Sequence, residues 1–390
     1  MTTNVRKKAL RFIIFLGFVS LFADFTYEGA RSITGPFLAS FGATGAQVGI
    51  IVGFGELVGY GFRVFSGYFV DKTKQYWAIT IMGYALNLFA VPLLALAGNW
   101  PVAAGLIILE RFGKAIRTPA KDAMLSYATK HTGRGWGFGL HEALDQIGAL
   151  LGPLTISAVL FFKAGFKTGF ALLLIPAVIA MLILIATKFS YPAPEKMEPT
   201  FHPLKTKGFS SSFWIYLAAV SLVGAGFIDF ALISYHFQKS KSVPELWIPI
   251  FYAISMAVGG LSSLILGKLF DRNGIAILAL VTLVTAFFAP LVFLGGFITA
   301  LLGMALWGIG LSSQETIMRA LLAHIIPPEH RGEAYGLLFL GFGIFWFIGS
   351  ALMGIFYDFS LFLLVGFSVF LQLLSLPLFL KLRQLIKIRK

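Results

Sequence analysis

The sequence predicts an all-α membrane protein, with twelve transmembrane helices in two pseudo-symmetric bundles of six. Three observations carry that expectation. Hydrophobic residues make up 58% of the 390, charged residues only 12%, and the mean hydropathy is +0.85. A soluble chain is nearer half apolar and a quarter charged. Apolar stretches of about twenty residues, each able to cross the hydrocarbon as a helix, recur twelve times. The two halves of the chain also repeat one another.

The first six spans run Phe12–Leu38, Val48–Val70, Trp77–Leu96, Val102–Asp122, Trp136–Phe162 and Phe166–Thr187. The second six run Phe213–Phe237, Trp247–Phe270, Ile275–Leu294, Ile298–Ala323, Tyr335–Phe356 and Leu361–Leu380. The ten-residue alternation of a membrane β-barrel does not occur. Forty-two glycines accompany the apolar surplus and let helices approach closely. Met1–Arg11 is basic but leads to no small-residue cleavage site, so no removable signal peptide is expected. The absence of cysteine excludes disulfides, thiolate metal sites and cysteine nucleophiles.

Lysine and arginine set the orientation. Arg31, Arg63, Arg111, Lys114 and Arg117 fall inside spans, and Lys163, Lys167, Lys239 and Lys241 lie in loops on one side. The other 22 of 31 lie on the opposite side with both termini, which are therefore expected in the cytoplasm of a cell-membrane protein. The net charge of +14 is accordingly a rim along the membrane, and no nucleic-acid partner is expected.

Ser190–Ser210, with Pro192, Pro194, Pro199 and Pro203, is the one long polar stretch between spans. It divides the chain into a bundle at 1–189, a cytoplasmic linker at 190–210 and a bundle at 211–390. Gly67-Tyr-Phe-Val-Asp71-Lys72 ends span two, and Gly267-Lys-Leu-Phe-Asp271-Arg272 ends span eight, 200 residues later. Arg134-Gly135 is echoed by Arg331-Gly332 after 197 residues. A repeat within twelve spans is a transporter signature, with solute bound near mid-membrane between the halves.

These elements resemble the major facilitator superfamily across essentially the whole chain. The Gly-x-x-x-Asp-Arg/Lys loop is that family's motif, and the resemblance implies that Gly67, Asp71, Lys72, Gly267, Asp271 and Arg272 form a conformational latch. The N-terminal copy continues as Thr73-Lys74-Gln75, where a glycine and further basic residues are usual. Span five carries Gly139, Gly148 and Gly152-Pro153 at the spacing typical of proton-coupled antiporters, which are mostly exporters, although Ile156-Ser157 replaces the final glycine pair. Gly148 and Gly152 stand one turn apart and suit close helix packing, and Pro153 is expected to bend the helix. The segments Glu110–Asp122 and Gly137–Asp145 look like a prokaryotic subgroup, some of whose members export metal-chelating or other small organic compounds.

Ionisable residues inside a membrane are expensive and usually functional. Nearly all of them belong to the first half; the second contributes only Asp229 and Glu315. Glu110, Lys114, Arg117 and Lys121 are spaced four, three and four apart on one face of span four. Asp24, Glu28 and Arg31 form a second stripe on span one, and Glu56 and Arg63 a third on span two. The family resemblance places spans one and four along the central cavity. His141 and Asp145 stand one turn apart on span five and suit a packing or latch pair; a metal site with Glu142 is disfavoured because residues 141 and 142 diverge by about 100° around a helix.

No phosphate-binding Gly-x-x-x-x-Gly-Lys-Ser/Thr loop, nucleophilic triad or zinc signature occurs. No enzyme activity, cofactor or metal is therefore expected, and the remaining drive is an ion gradient. The expectation is a monomeric secondary transporter in the lipid bilayer, exporting a small organic solute in a proton-coupled cycle. Asp24, Glu28 and Glu56 are the proton-site candidates. Arg31, Arg63, Glu110, Arg111, Lys114, Arg117, Asp229 and Glu315 are the solute-binding candidates, and Trp307, Tyr235 and Phe230 an apolar wall. A proton-coupled importer of an organic anion and a non-transporting receptor or scaffold are the alternatives.

Overall fold

A computed structural model describes residues 3–132, 134–193, 209–325 and 331–388. The described residues are helical almost throughout. Helix α1 spans Thr3–Ser40, α2 Gly45–Thr73, α3 Tyr76–Leu93 with a 3-10 turn at Leu94–Leu96, α4 Trp100–Thr132 and α5 Arg134–Phe161. They are followed by α6 Gly165–Leu172, α7 Leu174–Ser190, α8 Ser211–Gly226, α9 Phe230–Ser240 and α10 Trp247–Asn273. The rest are α11 Ile275–Thr285, α12 Phe288–Phe293, α13 Phe297–Ile325, α14 Arg331–Phe359 and α15 Leu361–Ile388.

Among the described residues eleven segments are long and apolar enough to cross a membrane. The helix missing from the twelve expected spans is α4. It is long enough, but Glu110, Arg111, Lys114, Arg117, Lys121 and Asp122 interrupt its apolar surface. Large apolar side chains such as Phe65, Leu264 and Phe362 are exposed on the outer faces, as contact with lipid tails requires. Most of the polar stretch expected as a linker, 194–208, lies outside the described residues.

Local chemistry ends the helices. The amide of Ala43 bonds back to the carbonyl of Leu38 past Gly42, whose φ of +79° takes the left-handed conformation that glycine permits. Thr44 and Gln47 then close a capping box: Gln47 N donates to Thr44 Oγ1 at 3.2 Å and Thr44 N to Gln47 Oε1 at 2.9 Å. Between α8 and α9 the backbone runs extended at Phe227 and Asp229. The groups freed there are satisfied from other helices. Ser368 Oγ donates to the Gly226 carbonyl at 2.6 Å and Trp307 Nε1 to the Ile228 carbonyl at 2.8 Å.

The chain separates into two compact units: Met1–Ile33 with Gly61–His202, and Thr34–Tyr60 with Pro203–Lys390. In the first unit Phe12, Trp77, Tyr84, Met124 and Leu184 anchor the core, and Trp77 Nε1 donates to the Tyr191 carbonyl at 2.9 Å. In the second, Trp307 stacks on Phe227 with centroids 5.6 Å apart and lies beside Phe230 and Tyr252. The second unit also contains the outer part of α2, where Gly49 and Gly53 pack against Ser350 and Phe347 of α14.

Candidate functional site

The first unit buries a cluster of opposite charges on α1, α4 and α5. Two tight helix contacts assemble it. A Cβ added at Gly148 or Gly152 of α5 would meet the backbone of α1 at Leu21 or Phe25. On the other side, Gly83 of α3 lies against the backbone of Arg117, and Gly113 of α4 against that of Asn87. Only glycine lets the axes come this close, and the closeness brings polar side chains of four helices together.

Asp24, Glu28, Glu110, Arg111, Arg117, Lys121 and His141 are all buried. The guanidinium of Arg117 lies 4.2 Å above the ring of Tyr84 and 5.8 Å from that of Tyr27, and the Lys114 ammonium 4.1 Å from the Tyr27 ring. Such cation–π contacts are strongest when water is excluded. Asn87 Nδ2 donates to Glu110 Oε1 at 2.6 Å, and Arg111 Nε stands 3.3 Å from Glu110 Oε2. His141 Nδ1 is 3.3 Å from Asp145 Oδ2. Lys114 and Arg117 of α4 both reach the ring of Tyr27 on α1, so the basic stripe of span four lies against span one.

Some buried polar atoms in this cluster remain unsatisfied. Among the described residues Arg117 Nε, the Tyr84 hydroxyl and His141 Nε2 have no hydrogen-bond partner. A buried polar atom without a partner is costly, and these three belong to residues of the charged cluster. That combination suits a site that takes up a polar solute or a proton.

Other expected site residues lie elsewhere. Glu56 is buried in the second unit, where its backbone carbonyl comes close to Gly343 of α14. Asp229 accepts the Ala231 amide at 2.9 Å and so caps α9 at the break in span seven. Trp307, Tyr235 and Phe230 are fully or almost fully buried in packing. Arg31 and Arg63 are half-buried on α1 and α2. The Glu315 side chain lies outside the described residues.

The packing and latch motifs divide. Gly148 and Gly152 make close contacts, whereas Gly139 faces open space, and Pro153 sits inside the single helix α5. A Cβ at Gly67 would make only ordinary contact with Pro119, and one at Gly267 would meet nothing within 4 Å. Asp71, Lys72 and Arg272 are exposed, and the Asp271 side chain lies outside the described residues. Glu142 is exposed and accepts from Gln146 at 3.2 Å, away from the His141–Asp145 pair.

Tyr27, Tyr84 and Asn87 were not singled out by their sequence. A signal for two of them existed: Tyr84 and Asn87, with Thr80 and Gly83, are the polar or small positions that interrupt a largely apolar span.

Membrane-length helices with charges buried between them define a multi-pass membrane protein with a polar interior. The family model of the Major Facilitator Superfamily matches residues 13–350, and the chain belongs to that family. It is similar to an uncharacterised protein of Mycobacterium tuberculosis, 37% identical over 388 residues that cover 98% of this chain and 95% of the relative. An uncharacterised MFS-type transporter of Methanocaldococcus jannaschii is 27% identical over 347 residues, 85% of each chain. Among solved structures the nucleoside transporter NupG superposes with a TM-score of 0.75 at 15% identity, over 94% of this chain and 99% of the other. That likeness shows the fold. The protein is a secondary transporter working by alternating access.

Proposed function

We propose that this protein is a proton-coupled exporter of a small organic solute. The observation that carries the reading is the buried cluster in which Asp24 and Glu28 share one environment with Lys114 and Arg117. A charge buried beside its opposite is left uncompensated, at high cost, when that partner is neutralised. A proton arriving on a carboxylate therefore frees a base, and a solute group arriving on a base frees a carboxylate. Proton and solute occupancy are linked through the same side chains. The glycine spacing of α5 supports the outward direction, because the pattern is typical of antiporters.

The second reading, a proton-coupled importer of an organic anion, is favoured by one observation. Arg117 and Lys114 present cationic heads over tyrosine rings, and Arg117 keeps an unsatisfied Nε. A carboxylate or phosphate on a solute would complete that site. NupG is a nucleoside transporter, but at 15% identity it lends no substrate to this chain.

In either reading the protein has twelve spans, both termini in the cytoplasm and a monomeric form. Asp71 and Asp271 act at the cytoplasmic helix ends as the latch, and Glu56 is the reserve proton site. The test is direct. Purified protein is screened by thermal shift against organic anions, cations and metal chelates, and the binders are followed in proteoliposomes with an imposed pH gradient. Gradient-driven movement with the solute leaving against proton entry supports export, and solute entering with protons supports import. Solute flux without any proton flux overturns both.

A further inference from the structure

We propose that Glu110 of α4 and Asn87 of α3 form a proton site, in which one proton closes a carboxylic acid–amide pair and releases Arg111. The inference rests on the reading that this protein moves protons, and it adds a site between α3 and α4 to the acids of α1.

The packing of α3 on α4 builds the site. A Cβ added at Gly113 would meet the backbone of Asn87, and Glu110 lies three residues earlier on the same face of α4. Asn87 has no exposed surface, and Glu110 and Arg111 are buried. Glu110 follows the start of α4 at Trp100 by about 15 Å of helix, which is near the middle of a hydrocarbon core of about 30 Å. A carboxyl at that depth is expensive unless partners hold it.

Those partners are complete for one protonation state only. Asn87 Nδ2 donates to Glu110 Oε1 at 2.6 Å and to the Glu110 carbonyl at 3.1 Å. Both are acceptors, so the amide nitrogen and not its oxygen must face them. Arg111 Nε stands at ion-pair distance, 3.3 Å, from Oε2. Among the described residues Asn87 Oδ1 has no hydrogen-bond partner, although it is buried. A buried acceptor left unpaired is costly. An ionised carboxylate has no hydrogen to offer it, and a protonated one has a single O–H.

The proton therefore changes both sides of the carboxyl. Placed on Oε2, it forms the O–H that donates to Asn87 Oδ1, while Nδ2 goes on donating to Oε1. The two hydrogen bonds close the ring of an acid–amide pair, and Glu110 becomes neutral. Arg111 then loses its counter-charge on Oε2 and is free to turn elsewhere. Loss of the proton reverses each step.

Other charges border the site. On α4 itself Lys114 is one turn from Glu110. From α1, which meets α4 where Tyr27 lies 4.1 Å from the Lys114 ammonium, Glu28 and Arg31 follow on the next turn. From α2, which packs through Phe62 on Phe112 and through the Ser66 hydroxyl on the Ala115 carbonyl, the charge is Arg63. Helix α3 carries no charged residue and presents Tyr84. From α5 come His141 and Asp145, paired with one another at 3.3 Å, and the exposed Glu142.

The test is infrared difference spectroscopy of the purified protein in liposomes, stepped between acid and alkaline buffer. Protonated carboxyls are the readout, and wild type minus Glu110→Gln isolates the one at Glu110. Asn87→Leu removes both of its hydrogen bonds and moves that component to higher frequency without abolishing it. No component lost in Glu110→Gln, or an unmoved one in Asn87→Leu, overturns the proposal. If either variant does not fold, Glu110→Asp draws the carboxyl back from the amide, and an unmoved spectrum is equally fatal. Release of Arg111 is read by peptide mass spectrometry after phenylglyoxal treatment at one fixed pH. The amide of Glu110→Gln donates to Oδ1 and accepts from Nδ2, so it mimics the protonated pair. Arg111 is expected to react several-fold faster in that variant, and equal rates overturn the switch. Proton flux is followed separately with an internal pH dye. A Glu110 component without flux in wild type leaves the site standing and sinks proton coupling instead.

Discussion

Arg117 lays its guanidinium over the ring of Tyr84 at 4.2 Å, and Tyr84 has no exposed surface. The contact joins α3 to α4 and turns the most deeply buried base of span four toward an aromatic face. Tyr84→Leu removes that face and is expected to cost about 2 kcal/mol, the upper range for a desolvated cation–π pair. Tyr84→Phe keeps the face and loses only a hydroxyl that has no partner, so its melting temperature stays near wild type. Equal melting of Tyr84→Leu and wild type would show that the stacking contributes nothing.

Arg117 itself separates binding from folding. Arg117→Lys keeps the charge but loses the planar fork. Its thermal shift with an organic anion is expected to shrink, and that of Arg117→Ala to vanish. A folded Arg117→Ala protein with the wild-type response removes Arg117 from the solute site.

Gly148 and Gly139 share a motif but not an environment. Gly148→Ala drives a methyl into the Leu21 backbone and is expected to cost about 1–3 kcal/mol through overpacking. Gly139→Ala meets open space and leaves the yield of folded protein unchanged. The comparison is made by size-exclusion profile and melting temperature in detergent, and a reversal of the order refutes the contact.

Asp24→Asn tests coupling. The variant is expected to lose gradient-driven accumulation and retain solute exchange, since exchange needs no net proton movement. If it still concentrates solute with normal pH dependence, Asp24 is not the carrier and Glu56 becomes the next acid to replace.

Asp358 accepts the amides of Gly45 and Ala46 at 2.9 and 2.8 Å and so caps α2 from the far end of α14. Asp358→Ala leaves both amides unpaired, and the expected loss is about 1–2 kcal/mol. Asp358→Asn retains one acceptor oxygen and loses less. Amide exchange at Gly45–Val48 reports it; unchanged exchange rates in the alanine variant would dismiss the cap.

Sidedness is read with single cysteines at Thr3 and Ile388 in a chain that has no native cysteine. An impermeant reagent is expected to label both only after lysis. Labelling of either in intact cells reverses the orientation.

The sequence by itself determined what depends on neighbours along the chain. Spans follow from runs of apolar residues, and the stripes of Asp24–Glu28 and Glu110–Lys121 from helical spacing. Even the break in span seven left a trace, since Gly224 and Gly226 precede Asp229, a natural N-cap. What spacing along one helix does not encode is which helix lies opposite. Tertiary structure alone decided that Tyr84 and Asn87 complete the charged face of α4, and that α5 packs on α1 through Gly148 and Gly152. It also placed Asp358 on an amide 313 residues away. The reason is physical: a buried charge is satisfied by whichever group the packing brings within a few ångströms, and in this chain glycines at 83, 113, 148 and 152 set that packing.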